Sequence, residues 1–409
     1  MTRVVAKFGG TSVGSPERIR HAAGLIKASY DAGEDPVVVV SAMAGETDRI
    51  LGLAAQFGSG LGDRECDVAL AAGEQVSAAL MTLALRELGL KAQSVMGWQA
   101  PVITRGPFGA ASIDGMDSQV FENLLAARII PVLAGYQGID RDAQIQTLGR
   151  GGTDLSAAAL AAALKARCDI YTDVDGVYTT DPRLVPEAKR LSAVSHDEML
   201  ELAAQGAKVL QPRSVEFAKA HQVPMRVLSS FAEPGKAEGT DVVAETSIEP
   251  HFAERRLVSG VAYARDQARI ALLGTDECGD IAQKSFSALA DGAIGVDMIV
   301  QTHSHTPGAV NLEFSVAHKD LAAALERLEP ALGGTQIRSE TGLAKVSVVG
   351  AGLRQRADIA RSLFGVLGER GIEIKVLATS EIKISALVEN NAVERAVRAL
   401  HAAYGLDQI

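Results

Sequence analysis

Lys7-Phe8-Gly9-Gly10-Thr11-Ser12 comes off a strand candidate at Val4–Phe8 and leads toward a helix with Pro16 in its first turn. Glycines there let backbone N–H groups approach a phosphate, and a lysine at a strand end supplies a point charge to a transferring phosphoryl group. Taken alone, the pattern fits equally a glycine turn with a surface lysine. It is not a Walker A loop, because Ser15 stands where that motif requires lysine.

Gly149-Arg150-Gly151-Gly152-Thr153-Asp154 precedes an Ala-rich stretch. It imitates a dinucleotide fingerprint, but Asp154 occupies the third glycine position, where helix and strand must pack closely. An arginine inside a glycine turn suits a substrate carboxylate better, since guanidinium grips one bidentately.

Thr172-Asp173-Val174-Asp175-Gly176-Val177-Tyr178, followed by Thr180-Asp181-Pro182-Arg183, offers acids for ribose hydroxyls and an arginine for phosphates. An Asp/Gly turn punctuated by Pro182 gives the same pattern. Glu74 lies in a mostly apolar helical stretch, either on a solvated face or as an acceptor for a substrate ammonium. The eight histidines show no metal-ligand spacing.

The elements that must position these groups alternate. Helical stretches fall at Ser15–Tyr30, Ala69–Leu88, Asp117–Ala127 and Leu155–Lys165. Strands fall at Val37–Ser41, Ile129–Ala134, Asp169–Thr172 and Met225–Ser229. The continuous β-branched run at Val37–Val40 belongs to a parallel sheet covered on both faces. The whole predicts an α/β fold with right-handed crossovers.

Ala232–Pro250, rich in Pro, Gly and acids, breaks the rhythm and marks a domain boundary. Beyond it the chain repeats. Ala268–Gly274 resembles Ala344–Gly350, and Asp280-Ile281-Ala282 with Phe286 and Leu289 matches Asp358-Ile359-Ala360 with Phe364 and Leu367. Two copies are too few for a solenoid and read as a pair of packed α/β modules.

At 409 residues two or three domains are expected, and 47% hydrophobic with 22% charged residues is the composition of a folded globular protein. A net charge of −10 argues against a nucleic-acid footprint, so any anion site must be locally basic. Cys66, Cys168 and Cys278 are widely spaced and read as reduced thiols of a cytoplasmic protein. No basic stretch followed by an apolar core is seen near the first residues, so no secretion signal is expected. The longest apolar stretch, Leu155–Leu164, is too short to span a bilayer, so no membrane partner is expected.

Together the pieces are more specific than any one. Lys7–Val13, Val37–Met43, Ala72–Glu74, Leu148–Asp154, Thr172–Arg183 and Gly206–Glu216 occur in the order and spacing of bacterial aspartate kinases. That resemblance covers essentially the whole chain. It implies a three-layer αβα amino-acid-kinase domain over 1–245, followed by two ferredoxin-like βαββαβ ACT domains over 257–335 and 341–409. It also implies ATP with Mg²⁺ as phosphoryl donor and L-aspartate as acceptor.

Carried over, Lys7, Gly9, Gly10 and Thr11 cradle the phosphates beside Ser41, and Thr172, Asp173, Tyr178, Arg183 and Lys208 line the nucleotide side. Thr47, Glu74, Arg150, Gly151, Gly152 and Thr153 hold aspartate, while Asp154 orients Lys7 and the phosphoryl group. Glu277, Gly279, Val296, Asp297, Gln301, Ser380 and Glu381 would bind a regulatory amino acid, lysine and/or threonine. A homodimer or homotetramer paired through the ACT domains is expected, since no methionine between Met225 and Met298 offers an internal start for a separate regulatory subunit.

The chemistry agrees with these residue types. A carboxylate nucleophile has an ordinary pKa of about 3.9 and needs no general base. One departure stands out: ACT helices usually begin after Pro-Gly, whereas Gly279-Asp280 and Ala357-Asp358 stand here. Aspartates capping those helices would occupy the N–H groups an effector carboxylate uses, so weakened feedback is expected. The competing readings are a sibling kinase of the same fold and a catalytically silent amino-acid sensor.

Overall fold

The computed structural model describes residues 2–203, 209–247, 257–276, 280–303, 309–353 and 356–408. They form two compact units. The first runs to Val177 and resumes from Arg190 up to residue 247; the second holds Tyr178–Lys189 and the described residues from Leu257 onward.

The first unit opens with β1 (Arg3–Phe8), α1 (Pro16–Asp31), β2 (Asp35–Val40), α2 (Glu46–Ala55), α3 (Arg64–Glu87) and β3 (Ala92–Val95). Next come β4 (Val102–Arg105), β5 (Ser112–Met116), α4 (Gln119–Ala126), β6 (Ile130–Ala134), β7 (Gln137–Ile139) and β8 (Ile145–Thr147). It closes with α5 (Gly152–Leu164), β9 (Arg167–Thr172), β10 (Ala193–Ser195), α6 (His196–Leu202), α7 (Pro212–Ala220), β11 (Met225–Ser229) and β12 (Gly239–Val243). The main sheet has the order β10-β12-β11-β9-β1-β2-β6-β3, parallel from β11 through β3.

Strand alternation sorts the side chains into layers. Phe8, Val38, Val40, Val132 and Ala134 face α1 and α3 in one apolar core. Val37, Val39 and Leu133 point the other way and are fully buried on the side of α5. Lys7, one residue before Phe8, is thereby aimed at α5.

Helix α3 is long and apolar enough, by length and composition alone, to cross a membrane. Its apolar side nonetheless lies in the core with α1, and it carries two buried carboxylates, Asp67 and Glu74. Strand β12 arises inside the segment expected to be a linker. Gly239 makes the pairing feasible, because a Cβ there would lie 1.9 Å from the Val227 carbonyl oxygen.

The second unit contains β13 (Gly260–Asp276), α8 (Asp280–Asp291), β14 (Asp297–His303), β15 (Ala309–Ala317) and α9 (Leu321–Ala331). It continues with β16 (Gln336–Val349), α10 (Ala357–Glu369), β17 (Val376–Thr379), β18 (Lys383–Glu389) and α11 (Val393–Ala403). All six strands form one antiparallel sheet, β14-β15-β13-β16-β18-β17.

The two long strands are shared between the repeats. Gln267–Leu273 of β13 pairs with the first half of β16 and completes the first module. Gly260–Ala264 pairs with Val349–Lys345 and supplies the second module's fourth strand. The span 341–409 therefore does not close a βαββαβ module alone; its last strand comes from before the first repeat. Leu184, Val185 and Ala188 join the second module's core, so the Tyr178–Lys189 segment folds with this unit.

Candidate active site

Lys7 ends its strand against the first turn of α5, where its ammonium pairs with the Asp154 carboxylate. Each side chain is only 10% exposed, so the pair is weakly screened. Among the described residues Asp154 Oδ1 has no well-directed hydrogen-bond donor, so the contact there is an ion pair rather than an aligned bond.

The loop before α5 is shaped by glycine. Gly149 and Gly151 adopt left-handed φ values of 71° and 75°, which suit glycine and strain other residues. A Cβ on Gly151 would sit 2.4 Å from Gln211 Cγ, and one on Gly152 2.6 Å from Leu148 Cβ. This packing presents Arg150 outward, and among the described residues it has no ion-pair partner.

A cavity of about 530 Å³ opens over these groups. It is lined by Lys7, Gly10, Ser41, Thr47, Glu74, Arg150, Gly151, Gly152, Thr153 and Asp154, all expected from sequence to touch ligands. Tyr136 and Gly109, which the sequence did not single out, also line it, as does Gln211, which lay in the Gly206–Glu216 motif but was given no role. Gly9 borders the Lys7 ammonium, with a Cβ position 3.4 Å from Nζ. Thr11 is exposed on the short 3-10 turn Gly10–Val13.

Glu74 is 4% exposed and accepts a 2.9 Å hydrogen bond from the Ala42 N–H. Burial raises its carboxyl from 4.5 to about 7, although that N–H pulls the other way. An apolar-walled carboxylate of this kind suits a ligand ammonium, which would restore its charge.

Thr172 and Asp173 stand at the end of β9, hydrogen-bonded to each other at 3.2 Å, and are not among the residues lining the cavity. Tyr178 and Arg183 lie in the segment that folds with the second unit. Tyr178 packs on the second module's core, and Arg183 bonds Asp181 through its backbone N–H and its guanidinium. The polypeptide brings together the residues expected for aspartate more completely than those expected for the nucleotide. Lys208 lies outside the described residues. No group of three or more His, Cys, Asp or Glu converges to hold a metal among the described residues.

In the second unit, Val296 packs on the first module's core. Asp297 pairs with the buried Lys345 and accepts from the Met298 N–H at 2.8 Å. Burial alone would raise the Asp297 carboxyl, but the Lys345 hydrogen bond and charge hold it below its ordinary value. Gln301 is exposed on β14, and Ser380 and Glu381 form the β17–β18 turn. Glu277 and Gly279 lie outside the described residues.

The capping expectation is corrected at one end. Asp358 sits inside α10, whose N-cap is Arg356, and its carboxylate is forked by the Arg356 guanidinium at 2.9 and 2.7 Å. That hydrogen bond lowers the exposed Asp358 carboxyl to about 2. Asp358 is therefore not the N-cap residue of α10, although the backbone N–H groups of Asp358 and Ile359 also help to lower its carboxyl.

A parallel sheet with a cationic strand end facing a glycine-bounded helix start defines a phosphotransferase-type site. Residues 2–229 match the amino acid kinase family, and residues 346–404 match an ACT domain. An aspartokinase from Geobacillus stearothermophilus is 45% identical over 404 residues, covering 98% of this chain and 97% of that protein.

Aspartokinase III of E. coli in complex with aspartate and ADP, its R-state, superposes with a TM-score of 0.79 at 28% identity. The match covers 98% of this chain and 99% of that one. The same enzyme with lysine and aspartate, its T-state, gives 0.75 at 28% identity over 98% of each chain. The chain belongs to the amino acid kinase family, within its aspartokinase branch.

Proposed function

We propose that this chain transfers the γ-phosphoryl group of ATP, taken as its magnesium complex, to the β-carboxylate of L-aspartate. The products are 4-phospho-L-aspartate and ADP. The observation that carries this reading is the meeting of Lys7, Glu74 and Arg150 in one cavity. That set matches the ligands group by group: a cation for the phosphoryl oxygens, an acid for the ammonium and a guanidinium for the α-carboxylate.

The β-carboxylate is already ionised, so the site must chiefly reduce repulsion between two anions and hold them in line. Lys7 and the N–H groups around Gly9 and Gly10 supply positive potential where charge accumulates. Asp154, in the first turn of α5, fixes the direction of the Lys7 ammonium. No proton has to move in the transfer.

The aspartate complex of the E. coli relative supports the acceptor. Its lysine complex supports an amino-acid effector. We place that effector, lysine and/or threonine, at the ACT modules, and pair the chains through those modules as a dimer or tetramer. A panel of amino acids tests the acceptor, with ADP release followed in the presence of hydroxylamine. Turnover with aspartate and not with glutamate or N-acetylglutamate is expected; equal turnover with glutamate would overturn it.

A further inference from the structure

The loop that carries Arg150 is gripped from two sides by charged side chains that do not line the cavity. On one side is Asp67, fully buried on α3, two helical turns before Glu74. Its Oδ2 accepts from the Gly109 N–H at 2.9 Å and the Thr147 N–H at 2.7 Å, and its Oδ1 from the Thr147 hydroxyl at 2.8 Å. Among the described residues no cation pairs with it, and its carboxylate holds the Gly109 loop to Thr147 at the end of β8.

On the other side is Arg213, in the first turn of α7. It donates to the Leu148 carbonyl at 2.7 Å and to the Ala111 carbonyl at 3.0 Å. The same two segments are thus tied at Gly109 and Thr147 by an acceptor on one side, and at Ala111 and Leu148 by a donor fork on the other. Between them the Ala111 N–H donates to the Thr147 carbonyl at 3.0 Å.

The joint is close-packed as well as bonded. A Cβ on Gly149 would stand 2.9 Å from the Gly109 carbonyl oxygen, and Ala111, Leu148 and Leu155 form one small apolar cluster. Gln211, just before α7, packs against Gly151. Thr147 and Leu148 are the last fixed residues before the glycine-flanked Arg150, so their position sets where the guanidinium emerges.

We propose that Asp67 and Arg213 are positioning residues for the amino-acid substrate. They clamp Thr147-Leu148 onto Gly109–Ala111 and thereby fix Arg150. This rests on the reading that Arg150 takes the substrate's α-carboxylate. Misplacing a binding group by about 1 Å can cost about 100-fold. Loosening the clamp should therefore fall on aspartate and spare ATP, whose phosphates are assigned to the β1 side.

The test compares Arg213→Met, Arg213→Lys, Asp67→Asn and Arg150→Ala in the full chain, with KM for each substrate, kcat and thermal midpoint measured for all. Arg213→Met keeps the stem and removes both donors. It is expected to raise the aspartate KM about 10-fold or more, with the ATP KM within about twofold. Arg213→Lys, with a single donor head, should recover part of the loss. Asp67→Asn removes the charge that strengthens three bonds and turns one acceptor oxygen into a donor. The aspartate KM should therefore rise several-fold, with the ATP KM within about twofold. A folded Asp67→Asn enzyme with an unchanged aspartate KM would remove Asp67 from the clamp.

A folded Arg213→Met enzyme with an unchanged aspartate KM would overturn the clamp, provided Arg150→Ala raises that KM. If Arg150→Ala leaves it unchanged, the assignment of Arg150 has failed instead. Should Arg213→Met not fold, Arg213→Lys decides: an aspartate KM raised several-fold with the ATP KM unmoved supports the clamp. Parallel changes in both, tracking the thermal midpoint, contradict it.

Discussion

Lys7 at the end of β1 and Asp154 in the first turn of α5 form an ion pair in which neither side chain is more than 10% exposed. Truncating one member of such a pair leaves an uncompensated buried charge, at a cost of about 3–5 kcal/mol. Lys7→Ala should therefore lower the unfolding free energy by that order in urea, and Lys7→Met with Asp154→Asn together should lower it less. Equal stability of Lys7→Ala and the parent chain would show that the pair is not held in solution.

Catalytically, Lys7→Ala should add roughly 2.7–4 kcal/mol to the barrier, the scale of removing one strong donor from a developing oxyanion. Steady-state kcat at saturating ATP and aspartate checks it. A kcat within twofold of the parent enzyme would remove Lys7 from the phosphoryl-transfer step.

Arg150 makes a prediction of opposite kinetic form. Its alanine variant should raise the KM for aspartate while the KM for ATP stays nearly constant. Because Arg150 is exposed in the loop, its removal should leave the thermal midpoint close to that of the parent. Movement of the ATP KM alone would assign it to the nucleotide.

Glu74 gives a pH dependence. Its carboxyl, raised from 4.5 to about 7 by burial, is protonated in the free enzyme below about pH 7 and cannot then pair with an ammonium. The aspartate KM should rise as pH falls through about 7, and binding should release a proton there. For stability the sign is the reverse: the neutral acid carries no burial penalty at low pH. Stability from this group is present below 4.5 and is lost as pH rises through about 7. Glu74→Gln should flatten both profiles, and an unaltered KM profile in that variant would exclude Glu74.

Gly151 tests the loop itself. Alanine there must take φ of 75° and place a Cβ 2.4 Å from Gln211 Cγ. The left-handed conformation alone costs about 1–2 kcal/mol. Chemical denaturation should show at least that loss, with a raised aspartate KM.

Much of the first unit was legible because its signals are local. The run Val37–Val40 could hardly be anything but a central strand, and Lys7, Glu74, Arg150 and Asp154 announce themselves by charge among glycine or apolar neighbours. Strand β12 was not legible, since Gly239-Thr240-Asp241 reads as linker and gains its role only by pairing with β11 and β10. Nor was the closing of the second repeat by Gly260–Ala264, a strand exchange that depends on two strands long enough to serve both modules.

Tyr178 and Arg183 were expected at the nucleotide from their motif; that Leu184, Val185 and Ala188 take their segment into the second unit's core was not legible in that motif. Asp67 went unnoticed although its spacing of seven from Glu74 puts both on one face of α3, a signal that was available. Arg213 carries no comparable local mark, because its partners are backbone carbonyls that only the fold brings near.

The central claim, a carboxylate oxygen attacking phosphorus, is tested most directly by isotope transfer. Aspartate labelled with ¹⁸O in the β-carboxylate is turned over with ATP and quenched with hydroxylamine, which attacks the acyl carbon and expels phosphate. One substrate ¹⁸O in each phosphate so released is predicted. Phosphate without the label would mean that water, and not aspartate, accepts the phosphoryl group.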